Sequence, residues 1–265
     1  DGEPVALTIS SAKNIKAVDT NLSVTGRIEL RAAEAVDMQA TQNDRGHWTA
    51  SRFDIRATNT LNATGVKLSV APQTNIPEER VWNEETGELE PHYEALTGAE
   101  VKFESTAGQV ILTQSTIQAT EERTQREQPF DIEVKSQTDT LLNQSSITAD
   151  DLTVTATAGQ INAASADIAL TGALTLNGAN GLNLSGTQEE QGNFVSSVIN
   201  LTTDEDLTLA YARLESTEGD ITFNSTEGEL ALDHVTLESK TAVTLSSAAE
   251  MTLTDSEVTG TKVSL

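Results

Sequence analysis

The sequence predicts an all-β protein, a parallel β-helix or β-solenoid with about twenty-one to twenty-three residues per coil. Two observations carry that reading. A ten-residue phrase of the form apolar, any, apolar, four of any kind, apolar, any, small or apolar recurs along the chain. It falls at Leu207, Leu209, Leu214 and Ser216, at Leu230, Leu232, Leu237 and Ser239, and at Met251, Leu253, Val258 and Gly260, so that successive starts are nearly evenly spaced. Between these phrases lie shorter apolar beats such as Ile28 and Leu30, Leu174 and Leu176, or Val243 and Leu245, again with one residue between partners. A repeat this short cannot bury a face alone and gains a core only by stacking on its neighbours.

The same phrase accommodates Leu61, Ala63, Leu68 and Val70, then Val110, Leu112, Ile117 and Ala119. It fits again at Thr140, Leu142, Ile147 and Ala149, and at Ile161, Ala163, Ile168 and Leu170. Alternation over three to five residues flanked by Thr and Ser marks half-buried strands, and helical spacing is sustained nowhere. Each coil is expected to hold three short strands, with Leu, Ile and Val inward and Thr, Ser and Glu outward. Ten such coils at ~4.8 Å make a rod on the order of 50 Å long. Gly108, Gly159, Gly219 and Gly228 precede strand starts and are read as corners that need a positive φ. Aromatic residues make up only 3% of the chain, as a narrow bore filled by aliphatic side chains requires.

The whole chain, 1–265, reads as a single solenoid interrupted by inserted loops at 42–52, 71–98 and 120–129. The longest carries Pro72, Pro77 and Pro91, three of the five prolines, with Trp82, Tyr93 and seven glutamates. The first carries His47 and Trp48, the last a charged run beginning Glu121-Glu122-Arg123, and a small insertion at Gln188–Gly192 stretches one interval. Large amphipathic residues on loops are the usual anchors of recognition. Trp82, Tyr93 and Trp48 are therefore the candidate binding residues, with pinning of the loop against the rod as the competing role.

Composition narrows the function. With 41 acidic against 16 basic residues and a net charge of −25, the chain would repel a phosphate backbone, so nucleic acid is not an expected partner. No apolar run approaches the ~20 residues of a membrane span, so no membrane insertion is expected. Cysteine is absent, which removes disulfides, thiolate metal sites and thiol nucleophiles. The chain opens at Asp1 rather than methionine, as a processed or truncated product does. Apolar alternation begins by Val5 and Leu7 and still runs at Val263 and Leu265, so the expected ends are open sheet edges. They would stack on other copies or on further coils of a longer chain.

Segments such as STEGDITFNST at 216–226, AGQVILTQSTIQA at 107–119 and TAGQINAASADIALTG at 157–172 resemble the repeats of filamentous haemagglutinin-type exoproteins, and the resemblance covers most of the chain outside the insertions. It implies a right-handed parallel β-helix, secreted or on the surface of a Gram-negative bacterium, as an adhesin shaft or a toxin-bearing stalk. Right-handed winding also follows the general preference of parallel crossovers. The secretion domain of that family is marked by Asn-Pro motifs, and no Asn-Pro dipeptide occurs here, so the likeness is to shaft.

The expected function is a non-enzymatic extracellular shaft or fibre subunit that presents its loops to host or cell-surface glycans or proteins. The alternative is a polysaccharide-binding or polysaccharide-cleaving β-helix, including the phage tail-spike type. Cleavage needs a paired acid and base at a set separation. Asp150 with Asp151 and the run Asp204, Glu205, Asp206 are the candidates, but both precede strand starts, where Asp is a turn residue. No catalytic residue is assigned. Asp206, Glu229 and Glu250 recur before successive phrases and form an expected acidic ladder, read as a solvated face in preference to a calcium ladder. His47, His92 and His234 are scattered and are read as surface residues; no metal site and no cofactor is assigned.

Overall fold

The computed structural model describes residues 5–72, 79–83, 88–92, 99–126 and 128–265. The described chain is a parallel β-solenoid of ten coils with the opening strand of an eleventh. Each coil places one strand in an eleven-stranded sheet and the remainder in an eighteen-stranded sheet that bends midway. In coils eight and nine the bend lies inside single ten-residue strands, Leu207–Ser216 and Leu230–Ser239.

Register is what holds the rod in order. In the first sheet one inward column runs Leu7, Ile28, Phe53, Val101, Ile132, Leu152, Leu174, Ile199, Ile221, Val243 and Val263. Its steps in sequence are nearly uniform except from Phe53 to Val101 and from Val101 to Ile132, which the two larger insertions stretch. Leu209, Leu232 and Leu253 form a column in the second sheet, as the repeat predicts. Side chains alternate across the pleat, so the intervening residues face water. On the first sheet these outward residues are charged in the early coils, where Arg56 reaches Asp54 at 2.7 Å and Lys102 reaches Glu133 at 3.0 Å. Further along they become Thr153, Thr175, Asn200 and Thr222. The bore is not purely aliphatic: Phe53, Phe103, Phe130, Phe194 and Phe223 are all buried.

The insertions differ from expectation in extent. Residues 42–52 do not form one loop, because His47–Ala50 is a strand of the second sheet and Arg52–Ala57 a strand of the first. The alternation His47, Trp48, Thr49, Ala50 continues the inward pattern, and a Trp fits a pleated, packed surface well. Residues 120–129 hold a one-turn helix, Glu121–Gln125, whose N-cap Thr120 accepts from the Arg123 amide at 3.3 Å. Within 71–98 an antiparallel hairpin pairs Glu79–Asn83 with Glu88–His92.

The glycines serve a different purpose from the one expected. None of Gly108, Gly159, Gly219 and Gly228 has a positive φ; among the described residues the positive-φ glycines are Gly46, Gly65 and Gly181. A Cβ on Gly108 would lie 1.9 Å from the Asn59 carbonyl oxygen, and one on Gly159 would lie 2.2 Å from the Thr138 carbonyl carbon. These corners need glycine because the coil beneath passes where a side chain would be.

Leu232 is 1% exposed and sits between Leu209 and Leu253. Leu232→Glu would place an unpaired charge in a dry column and should lower the stability of the surrounding coils by at least about 3 kcal/mol. Stability in a stacked array is carried by nearest neighbours, so hydrogen exchange should show the loss concentrated in coils eight to ten. Unchanged exchange there would mean that the residue does not point inward.

Candidate functional site

The described surface is dominated by one repeated corner, where the two halves of the second sheet meet. Asp19, Gln114, Gln144, Ser165, Tyr211, His234 and Asp255 all have φ between 46° and 54°, in the left-handed region. Each follows the inward residue of a strand by two positions, as Tyr211 follows Leu209 and His234 follows Leu232. In five of these seven cases a buried residue comes next: Ser115, Ser145, Ala166, Ala212 or Val235. Ser115 closes the corner by donating to the Ala63 carbonyl at 2.7 Å, and Ser145 donates to the Leu112 carbonyl. The four unspecified places in the ten-residue phrase thus contain a defined turn.

Left-handed residues stack along the rod. The Gln114 amide donates to Gln144 at 3.1 Å, and the Gln144 amide donates to the Glu190 carboxylate at 3.0 Å. Further along, the Tyr211 and His234 rings stack with centroids 4.7 Å apart and planes 20° from parallel. His234 Nδ1 lies 2.7 Å from Asp233 Oδ1, and its Nε2 lies 3.8 Å from Asp255 Oδ2. Beside this stack runs an open groove of about 570 Å³, lined by Gln188, Gln191, Tyr211, His234, Asp255 and Glu257 among others.

The residues singled out from sequence do not meet there. Trp48 is core: it is 3% exposed, stacks in register between Leu22 and Leu68, and its indole N–H donates to the Thr20 carbonyl at 2.7 Å. Trp82 lies in the hairpin opposite Leu89, and Tyr93 falls outside the described residues. Sequence reasoning passed over Tyr211 and grouped His234 with scattered surface histidines. The available signal was their slot: both stand two places after the second apolar position of their phrase, in consecutive repeats.

The acidic candidates latch one coil to the next. Asp151 Oδ1 accepts from the Ala173 amide at 2.6 Å, Asp204 Oδ1 from the Thr226 hydroxyl at 3.0 Å, and Asp206 Oδ1 from the Glu229 amide at 2.9 Å. Asp150 accepts from the Thr171 hydroxyl. Asp19 and Asp220 do the same for Thr41 and for Thr241 with Ala242. The Thr41 hydroxyl, then its amide, hold the Asp19 carboxyl below the usual carboxylate range, and the Thr241 hydroxyl and the Ala242 amide act likewise on Asp220. Asp131 moves the other way, raised chiefly by burial. Among the described residues no group of three His, Asp or Glu side chains is placed to hold a metal ion.

Arg123 ties the two larger insertions to the rod. It is 1% exposed, and its guanidinium donates to the carbonyls of Ala71 and Gln128 at 3.0 Å each, to the Pro129 carbonyl, and to Glu100 Oε1 at 3.3 Å. Its Cζ lies 5.3 Å from the centre of the Phe130 ring. Burial pulls its pKa down while Glu100 pushes back, and an arginine so placed stays charged. One side chain therefore fastens both ends of the long insertion, at Ala71 and Glu100, to the short one.

No family model, curated protein or solved structure matches the chain.

Arg123→Met should cost about 3–5 kcal/mol in urea unfolding, because Glu100 and three carbonyls lose a buried donor together; a loss below about 1 kcal/mol would show that the insertions are anchored elsewhere. For Asp220 the folded pKa lies below the unfolded one, so its stabilisation is present above the unfolded value near 3.8 and disappears as pH falls through the folded value. Asp220→Ala should accordingly melt below the parent chain at pH 7, and the two melting temperatures should converge as pH falls below 3.8. A gap that persists at the acid end would assign the effect to something other than the carboxylate.

Proposed function

We propose that this chain is a structural shaft, a length of extracellular β-solenoid of the filamentous haemagglutinin kind that carries contact surfaces along a bacterial adhesin or surface fibre. The observation that supports this most directly is the continuity of the columns. Inward residues keep register from the first coil to the eleventh strand, even where the long insertion separates Phe53 from Val101. The end coils leave Ile9, Leu253 and Val263 exposed, at 40 to 43%, in line with those columns. Further coils, whether of the same chain or of another copy, would extend them without a change of geometry.

The acids support the same reading against polysaccharide cleavage. Asp150, Asp151, Asp204 and Asp206 direct their carboxylates to amides and hydroxyls of the next coil, whereas a glycosidic acid–base pair faces its substrate across a cleft. Secretion agrees with a cysteine-free, strongly acidic chain that resists self-association by charge. The insertions at 71–98 and 120–129, held at one level by Arg123, are the lateral surfaces such a shaft would present.

A shaft tolerates loss of a whole coil, because each coil contacts only its neighbours. Deleting residues 152–173, which brings Leu174 to the place of Leu152, should give a folded rod shortened by ~4.8 Å in its longest dimension by small-angle X-ray scattering. The unaltered chain should appear as rods on the order of 50 Å in electron micrographs. Collapse or aggregation of the deleted chain, or compact round particles from the parent, would defeat the shaft reading.

A further inference from the structure

The left-handed corner is cheapest with Gly, Asn or Asp, and a bulky residue such as tyrosine there is a backbone outlier. Coils one, three and ten follow that preference with Asp19, Gly65 and Asp255, and coils four, five and six hold Gln114, Gln144 and Ser165. Coils eight and nine instead hold Tyr211 and His234, and their rings stack on each other at the edge of the groove instead of entering the core. A tyrosine held in that region and stacked on a histidine at the mouth of the same groove is a reason to look for a ligand there.

The charge of the groove says what kind. Its walls include the carboxylates of Asp255 and Glu257 and no Lys or Arg. Arg213, the cation of this region, is already committed to Glu215 at 2.7 Å and Glu238 at 3.3 Å. Asp255 has only His234 Nε2 nearby at 3.8 Å, and Glu257 has no ion pair among the described residues. Gln188 and Gln191 add amide donors and acceptors to its lining. The groove therefore offers uncompensated negative charge beside an aromatic stack, the combination that receives an organic cation.

We propose that this groove binds an arginine side chain of an extended basic peptide segment. Arginine is favoured over lysine because its planar guanidinium packs on rings and reaches carboxylates with several donors at once. From the Gln188 loop in coil seven to Asp255 in coil ten the groove climbs three coil steps, ~14 Å, which an extended peptide of about four residues spans. The −25 charge of the chain would draw such a segment in from a distance. The site is independent of whether the rod serves an adhesin or another fibre.

The test is fluorescence anisotropy with a labelled Gly-Arg-Gly-Arg-Gly peptide at about 20 and about 150 mM salt, which brackets strong and physiological screening, with cellotetraose as a neutral competitor. Tyr211→Gly removes the ring and relieves the positive φ, so the variant should melt no lower than the parent and bind about three- to five-fold more weakly. Glu257→Gln should weaken binding about two- to five-fold, and less at the higher salt. The double variant Glu218→Gln with Glu227→Gln removes two exposed charges from the other corners and should bind as the parent does. Equal weakening in that double variant would reduce the effect to the general charge of the rod and overturn the proposal. Unchanged binding by Tyr211→Gly, or displacement of the peptide by cellotetraose at comparable concentration, would overturn it as well.

Discussion

Everything in this molecule depends on one geometric constraint: each coil must bring its inward side chains directly over those of the coil before. Parallel strand pairing enforces this, because a slip of one residue would turn every core side chain outward. The apolar columns reinforce it, each fully buried Leu, Ile or Phe contributing about 1.5–3 kcal/mol. Neither would suffice alone. The ladder sets the positions, and the columns make only one register favourable.

Corners are where that constraint is hardest to meet, and the chain meets it in three ways. At one corner a single residue in the left-handed region bends the strand, followed by a small buried residue such as Ser115 or Ala212. At others a glycine allows the next coil to pass at a distance no Cβ could tolerate, as Gly108 does over Asn59. Elsewhere Asp or Asn accepts an amide proton from the coil above, as Asp139 does from Gln160 at 3.0 Å and Asn14 from Ala35 at 3.0 Å. The latches satisfy backbone donors that the sheets leave unpaired at their ends. They also explain why an acidic chain has so many carboxylates at strand starts without assembling a catalytic pair.

Insertions are accommodated because closing a longer loop costs little more than closing a short one. Val101 pairs with Phe53 in the same register as neighbours separated by a single coil. What the rod requires is that the chain leave and return at the same corner. Arg123 secures that return by holding Ala71, Glu100 and Pro129 around one buried cation.

The period, the sheet class and the inward columns were legible in the residues alone, because side-chain alternation and a short, regular repeat are local facts written in Leu, Ile and Val. Leu209, Leu232 and Leu253 could be stacked on paper before any coordinates. The corners could not, since hydropathy carries no information about φ: a left-handed Tyr211 and a solvated loop tyrosine read alike. Trp48 shows the same limit in reverse, because whether an aromatic residue lies on a loop or in the bore depends on where the corner falls, and that falls where the neighbouring coil allows. It is the winding of the backbone that lays Tyr211 and His234, a full coil apart in sequence, ring on ring beside an acidic groove. The physical reason is that stacking converts sequence distance into adjacency, and its detailed geometry belongs to pairs of coils and to no single repeat.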